Sequence, residues 1–268
     1  MRGVRKTVRV QRRRLDLELV SRGIAPSRER AQVLVRAGSI RVNGELVTRP
    51  SQLVAGEAEI AAKTEPDYVG RGAEKLAGAL DDFALRVEGW VCADVGASTG
   101  GFTDVLLRRG AASVYAIDVG KGQLAWRLRQ DARVVVMEGV NVRDLASLPE
   151  PLDLVVADVS FISLRLALPP ALPFLRPGGE VVTLVKPQFE AGPASVSRGG
   201  VVRDPAARAA AVLAVIEALS AHGLGVQGVA RSVIRGREGN VEVFCHFRNG
   251  APANASLDVA LRVVEESR

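Results

Sequence analysis

Cysteine and histidine are nearly absent from this sequence, with two of each in 268 residues. Cys92 and Cys245 fall in apolar, strand-like runs, and neither His222 nor His246 stands at a zinc-site spacing from them. A zinc module and a disulfide framework are excluded, and the reading is two buried thiols in a reducing compartment, with no metal. Long apolar runs are missing too. The stretch 166–175 is broken by Pro169, Pro170 and Pro173, so nothing reaches membrane-spanning length. The basic first fourteen residues lead into no apolar secretory core, and a cytoplasmic protein is expected. Tryptophan and tyrosine are scarce at two each, yet 47% of residues are apolar, enough for a substantial core.

Acidic residues are scarce in the first quarter. Residues 1–63 carry a net charge of +8 and residues 64–268 a net of −2, so the basic excess of the whole chain comes from its beginning. A polyanion is expected to dock there. We read a basic arm at 1–14, a compact unit at 15–63, a linker at 64–70 and a large domain at 71–268. In the compact unit, Leu15, Leu17, Leu19 and Val20 form a short helix ended by Gly23. Ser27 caps a second helix that buries Ala31, Val33, Leu34 and Val35, turns Arg28, Arg30 and Arg36 outward, and stops at Gly38. Asn43-Gly44 turns a β-hairpin between residues 40–42 and 45–47.

The large domain is organised around residues 91–103. The apolar run 91–95 reads as a strand buried on both faces. Gly96, Ala97, Ser98, Thr99, Gly100 and Gly101 form a turn of small residues, and Phe102 opens a helix. This arrangement lets a ligand approach the backbone beside a helix N-terminus. The neighbouring strand, 113–118, ends in Asp118, placed to accept from two ribose hydroxyls. The order G-x-x-x-G-G is neither the dinucleotide fingerprint nor a nucleotide-phosphate loop. With Asp94 available to a cationic amino group, the pattern fits S-adenosyl-L-methionine. Further strands are expected at 133–138, 152–158, 180–185, 226–234 and 241–247. Helices are expected at 73–83, 102–109, 122–130, 162–174, 205–221 and 256–266. Alternation of this length implies a doubly wound α/β sheet with ligands at the C-terminal strand ends. The last two strands are too close in sequence for a crossover helix and should form an antiparallel hairpin.

Asp158 and Lys186 each close an apolar strand, so both should face the crevice above Gly96. Glu242 interrupts an apolar run and needs a partner, for which a lysine is the natural choice. Lys75 stands in the first turn of a helix, against the dipole, which hints that it is placed there for another reason.

Two resemblances join these pieces. The run from Arg14 through Gly44 resembles the small RNA-binding domain of the "S-four" ribosomal type, which implies phosphate contacts from Arg14, Arg22, Ser27, Arg28, Arg30, Arg36 and Arg41. Nearly the whole chain resembles the TlyA family of ribosomal RNA 2′-O-methyltransferases, whose catalytic half is of the FtsJ/RrmJ class. The motifs are R-G-A-E-K-L at 71–76, D-V-G-A-S-T-G-G-F-T at 94–103, D-V-G-K-G-Q-L-A-W at 118–126, A-D-V-S-F-I-S at 157–163, L-V-K-P-Q-F-E at 184–190 and G-N-V-E-V-F at 239–244. The resemblance implies a Rossmann-like class I methyltransferase domain, with a mostly parallel seven-stranded sheet whose last strand is antiparallel. A small α+β RNA-binding domain precedes it. It implies a catalytic tetrad at Lys75, Asp158, Lys186 and Glu242. The cofactor site carries onto Asp94, residues 96–102, Asp118, Val119 and Asn141. Lys186 is expected to be the base, with Asp158 orienting the amines and Lys75 and Glu242 positioning the hydroxyl. Glu74 and Lys121 depart from the family pattern without removing a tetrad member. The implied reaction is 2′-O-methylation of cytidine in ribosomal RNA, by an enzyme expected to be a monomer. Two alternatives stand beside it: a ribosome-assembly factor without methyl transfer, and a base methyltransferase. The second lacks the stacking tetrapeptide that adenine methylation needs, since residues 158–161 hold no proline or amide. The haemolysin name used for some members finds no membrane-inserting segment here.

Overall fold

The computed structural model describes residues 12–36, 38–62 and 68–254. Residues 1–11 of the basic arm, residues 64–67 of the linker and the helix expected at 256–266 lie outside the described residues. The chain divides into two compact units, Met1–Asp67 and Tyr68–Arg268.

The first unit runs β1 (Arg12–Arg14), α1 (Leu15–Ser21), α2 (Arg28–Arg36), β2 (Ile40–Val42), β3 (Glu45–Leu46), β4 (Leu53–Ala55) and β5 (Ile60–Ala62). Leu15 and Leu19, one turn apart on α1, pack with Ala31 and Val35 of α2 and with Ile40. Ser27 Oγ accepts the Arg30 N–H at 3.2 Å, which satisfies a free donor at the start of α2. At the other end Gly38 takes φ +71°, and the N–H groups of Gly38 and Ser39 close on Val35 and Leu34. Asn43 and Gly44 both have positive φ, as a type I′ hairpin turn requires. Strands β4 and β5 carry no sequence signal, because three-residue strands are too short to show alternation. They pair antiparallel with β1 and β2 respectively. Val33, expected in the core, is half exposed.

Asp16 is fully buried at the centre of this unit. Its carboxylate accepts from Arg14 at 3.0 and 2.8 Å, from Arg28 at 3.1 Å and from the Gln32 amide at 3.0 Å. These bonds, Arg14's foremost, hold it far below the usual carboxylate range.

The second unit runs α3 (Gly72–Asp82), β6 (Val91–Val95), α4 (Gly101–Arg108), β7 (Ser113–Asp118), α5 (Trp126–Arg129), β8 (Val134–Glu138), β9 (Leu152–Ala157), α6 (Leu164–Ala167), β10 (Leu175–Val185), α7 (Pro187–Glu190), α8 (Pro205–Ser220), β11 (Leu224–Arg231) and β12 (Val243–Asn249). Seven strands form one sheet in the order β11-β12-β10-β9-β6-β7-β8. The five strands from β10 to β8 are parallel, and β12 inserts antiparallel between β10 and β11. This is the expected Rossmann-like class I methyltransferase fold. β6 is the switch point, where the strand order reverses and a crevice opens above the strand tips.

Alternate residues of each strand feed two apolar layers. On one face Val155, Val181 and Val185 meet Ile216 and Leu219 of α8. On the other Leu154, Val156 and Val182 meet Leu76 and Leu80 of α3 and Leu106 of α4. Cys92 and Cys245 are free and buried within these layers, and burial pushes the Cys245 thiol up to about 12. No helix among the described residues is long and apolar enough to cross a membrane.

Two expected helices are corrected. The 162–174 helix is α6 followed by a 3-10 segment, Pro169–Phe174, because Pro169, Pro170 and Pro173 have no N–H to donate. The 122–130 helix is only α5. Its expected first turn is pulled open by Glu138, whose carboxylate accepts the N–H groups of Gly122, Gln123 and Leu124 at 2.7–2.9 Å and also pairs with Arg129. These bonds, with Leu124's first, lower Glu138 to about 2.

Replacing Asp16 with Ala should destabilise the first unit by about 1–2 kcal/mol, since Arg14 and Arg28 are exposed enough to rehydrate. A carboxyl held below its unfolded value stabilises the fold at pH well above about 4, and that share is lost as pH falls. Denaturant unfolding of the full chain from pH 7 to 3 should therefore show wild type converging on Asp16→Ala as the pH drops.

Candidate functional site

Asp94 lies inside the sheet at the end of β6, fully buried. The cap position of α4 is Gly100, which offers no side chain to the helix's free N–H groups. Asp94 supplies the cap from the strand: its Oδ2 accepts the Thr103 N–H at 2.9 Å and the Thr103 hydroxyl at 2.7 Å. Its Oδ1 is buried and has no donor among the described residues. Burial pushes the carboxyl up to about 7; the Thr103 bonds oppose the shift, and the charges of Asp158 and Asp118 add to it.

The turn that follows is shaped by contact. Gly96 has φ +85°, and a Cβ there would lie 2.7 Å from the backbone oxygen of Asp158. A Cβ at Gly101 would lie 2.9 Å from the Val69 oxygen. Gly100 packs on Leu124 and Leu128 rather than on a cavity.

Two cavities open at the strand tips. The first, of about 420 Å³, is lined by Lys75, Asp94, Asp158 and Lys186 and by Gly96, Ala97, Ser98, Thr99, Gly101 and Phe102. The second, of about 540 Å³, is lined by Gly96, Ser98, Asp118, Val119, Asn141 and the apolar Ile117, Val140 and Ile162. They share Gly96, Ser98, Asp158 and Ser160, and so meet where the tips of β6 and β9 adjoin.

Two ion pairs stand at the first cavity. Lys186 Nζ lies 2.6 Å from Asp158 Oδ1 and donates to Ser160 Oγ at 2.8 Å. Lys75 Nζ donates to Glu242 Oε2 in a buried contact. Glu242 sits just before β12 rather than inside it. Its partner is the lysine whose place in the first turn of α3 the helix dipole does not favour.

At the second cavity Asp118 accepts the N–H of Ser98 through Oδ2 at 2.8 Å and of Gly120 through Oδ1 at 2.7 Å. Each oxygen keeps a lone pair for a further donor. Val119 is exposed on its rim. Asn141 caps a short 3-10 turn, accepting from Arg143 N at 3.1 Å.

Several residues at or near these cavities receive no role from the sequence, although Arg71, Phe161 and Glu190 stand inside the family motifs. Arg71, Arg235 and Arg237 line the first. Phe161 lines the second, 92% exposed and at φ +65°, a backbone region that bulky residues avoid. Glu190 accepts from Ser163 Oγ at 2.5 Å and Leu164 N at 2.7 Å, fixing the loop after β9 to the turn after Lys186. Arg235 and Arg237 lie outside those motifs, in a loop where isolated polar residues have no period to reveal them.

In the first unit the structure separates the arginines expected at RNA. Arg14 and Arg28 close on Asp16. Arg22 closes on Glu18 at 2.8 Å and on the carbonyls of Ala58 and Gly56. Arg30, Arg36 and Arg41 are exposed, Arg36 donating weakly to Gln32 and Arg41 to the Gly44 carbonyl. Ser27 is engaged as a helix cap.

Residues 68–249 match the family model of the FtsJ-like methyltransferases, and residues 13–60 that of the S4 domain. The 16S/23S rRNA (cytidine-2′-O)-methyltransferase TlyA of Mycobacterium tuberculosis is 49% identical over 244 residues, covering 89% of this chain and 90% of that protein. Hemolysin A of Brachyspira hyodysenteriae is 40% identical over 237 residues, covering 87% of this chain and 99% of that protein. The solved structure of a "putative hemolysin" from Streptococcus thermophilus matches with a TM-score of 0.71 at 39% identity over 95% of both chains. With its sheet order, its two ion-paired lysines at one cavity and these matches along nearly its whole length, the chain belongs to the TlyA family of FtsJ-like methyltransferases.

Proposed function

We propose that this protein methylates the ribose 2′-hydroxyl of a cytidine in ribosomal RNA, using S-adenosyl-L-methionine. The observation that carries the reading is the pair of lysine–carboxylate contacts, Lys186–Asp158 and Lys75–Glu242, at a cavity that adjoins a second one edged by Asp118. Neither alternative reading gives this cluster a task, since an assembly factor does not need buried lysines and base methylation does not need a base for an alcohol.

The residues fit the cofactor. Asp94 Oδ1 is an unmatched buried acceptor beside the first cavity, suited to an ammonium group. Asp118 has lone pairs left for ribose hydroxyls, and a side chain on Gly96 would collide with the Asp158 backbone where the two cavities adjoin. Asn141 and Val119 edge the apolar second cavity, where an adenine ring would lie. Bound cofactor supplies a methyl group made electrophilic by its sulfonium.

An alcohol is a poor nucleophile until its proton is removed and its oxygen is held in line. Lys186 Nζ takes that proton as the neutral amine, having first given up its own to solvent, and becomes the ammonium. Asp158 and Ser160 fix the amine at the cavity wall, which sets the direction of transfer. Lys75, held by Glu242, donates to the oxygen as negative charge builds on it. Arg30, Arg36 and Arg41 contact RNA phosphates, while Arg14, Arg22 and Arg28 secure the unit that presents them. Transfer of a methyl group from a sulfonium to an activated alcohol calls on no metal. A cytoplasmic location accords with a ribosomal substrate.

Lys186→Ala should reduce tritiated methyl transfer to separated ribosomal subunits by at least a thousandfold while cofactor affinity, read by calorimetry, stays within a few-fold. Substantial retained transfer would remove Lys186 from the role of base. Mapping of the product should give one position resistant to alkaline cleavage, because a ribose methyl blocks cleavage at its own linkage.

Asp94 generates a second expectation. A carboxyl near pH 7 is about half protonated in the free protein at neutral pH, and an ammonium neighbour favours its ionised form. Cofactor binding at pH 7 should therefore release roughly half a proton, and affinity should weaken as pH falls below 7. Calorimetry in buffers of different ionisation enthalpy measures this, and Asp94→Asn, which keeps an acceptor for Thr103, should abolish the release.

A further inference from the structure

The second unit, residues 68–268, carries no net charge in sequence, yet the mouth of its first cavity is edged by three arginines. The two lysines that line the cavity are already matched, Lys186 with Asp158 and Lys75 with Glu242 behind the wall. Asp94 and Asp158 are the acids that line this cavity, and neither is paired with Arg71 or Arg237. Arg237 is exposed and makes no hydrogen bond or ion pair with any described residue.

The arginines are held in place by built structure. Arg71 stands one helical turn before Lys75, at the start of α3, and its guanidinium donates to the Arg235 carbonyl at 3.3 Å. Arg235 and Arg237 flank Gly236 in the loop between β11 and β12. Gly236 donates to the Asn240 carbonyl at 3.0 Å, and Gly239 donates back to Gly236 at 2.9 Å. Asn240, itself buried, anchors the loop by accepting from Val202 N and donating to the Gly200 carbonyl. Two residues later the same loop delivers Glu242 to Lys75.

A rim of guanidinium groups calls for an anion. S-adenosylmethionine brings one carboxylate beside its ammonium group, a single anion against three guanidinium groups, so the rim has capacity for a second anion, which the other substrate brings. A ribose 2′-hydroxyl sits on the carbon next to the one that bears the 3′-phosphodiester. A ribose presented to Lys186 therefore brings a phosphodiester to the mouth of the same cavity.

We propose that Arg237, with Arg71 and Arg235 beside it, forms a phosphodiester clamp that grips the RNA backbone next to the ribose being methylated. The clamp rests on the 2′-O-methyltransferase reading and adds to it a substrate-positioning site outside the tetrad and outside the S4 domain. It reads backbone and not base, so it confers placement without sequence preference.

The test compares full-length wild type, Arg237→Ala and Arg237→Lys in two measurements. The first is binding of a fluorescent single-stranded RNA of mixed sequence, by anisotropy, across a salt series. Losing one phosphate contact should make the slope of log K against log salt shallower by about 0.7 in Arg237→Ala, and Arg237→Lys should restore it. The second is methyl transfer to ribosomal subunits, where kcat/KM should fall roughly tenfold in Arg237→Ala with cofactor affinity unchanged. An unchanged salt slope in Arg237→Ala, or a loss matched by weakened cofactor binding, overturns the clamp. A shallower slope together with wild-type protein that places no methyl group on ribose upholds the clamp and overturns the methyltransferase reading instead.

Discussion

The tips of β6 and β9 touch through backbone alone, and the site follows from that contact. Asp158 N donates to the Val95 carbonyl at 3.1 Å, and the Asp158 carbonyl comes so close to Gly96 that no side chain fits between them. Gly96 also bends the chain through a positive φ, which is open to glycine at no steric cost. One residue thus turns the loop back toward Asp118 and leaves the wall between the two cavities one backbone thick. Asp158 then lines both cavities, and Lys186, one strand over, reaches it. A side chain at Gly96 would push the strand tips apart and separate the group that handles the proton from the space suited to the nucleoside.

Charge at this site is arranged against stability rather than for it. Taking a lysine and a glutamate out of water costs several kcal/mol per ion, and their mutual attraction seldom returns more than that. Lys75 adds a position at the positive end of α3. Asp94 keeps an oxygen with no donor in the middle of the sheet. The surrounding apolar layers, with Leu76, Leu80, Leu106, Leu154 and Phe244 all buried, tolerate these penalties. Each fully buried leucine contributes on the order of 2 kcal/mol. The cluster in the first unit is of another kind. Asp16 is buried too, but its acceptor sites are filled by Arg14, Arg28 and Gln32, so it staples its fold and leaves nothing for a ligand.

The sequence made legible whatever repeats or sits at a fixed offset. Strand–helix alternation disclosed the doubly wound sheet, the short link between the last two strands disclosed the antiparallel insertion, and the charged residues closing apolar runs disclosed Asp158 and Lys186. What stayed hidden depends on partners distant in sequence. Nothing local to residues 122–125 says that Glu138 will take three of their N–H groups and prevent a helical turn. Nothing local to Arg14 or Arg28 says that Asp16 is already theirs. Gly100 looked like a ligand glycine by its motif, but its missing side chain makes room for Leu124 and Leu128. A glycine motif reports that something comes close, without saying whether it is a ligand or the protein itself.

This distinction changes what the basic first quarter of the chain can do. A net charge of +8 gives an upper bound on the polyanion field there, and does not count phosphate contacts. An arginine whose fork is closed on a buried carboxylate cannot neutralise a phosphate without leaving that carboxylate uncompensated, so it releases no counterion on binding. Arg14 and Arg22 are of this kind, Arg28 meets Asp16 through Nε alone, and Arg30, Arg36 and Arg41 are open. The salt dependence of RNA binding by this unit is therefore set by its open guanidinium groups, not by its composition. Long-range attraction and local grip are then separable properties of one basic surface: the first scales with net charge and fades within a Debye length, while the second scales with the forks left open.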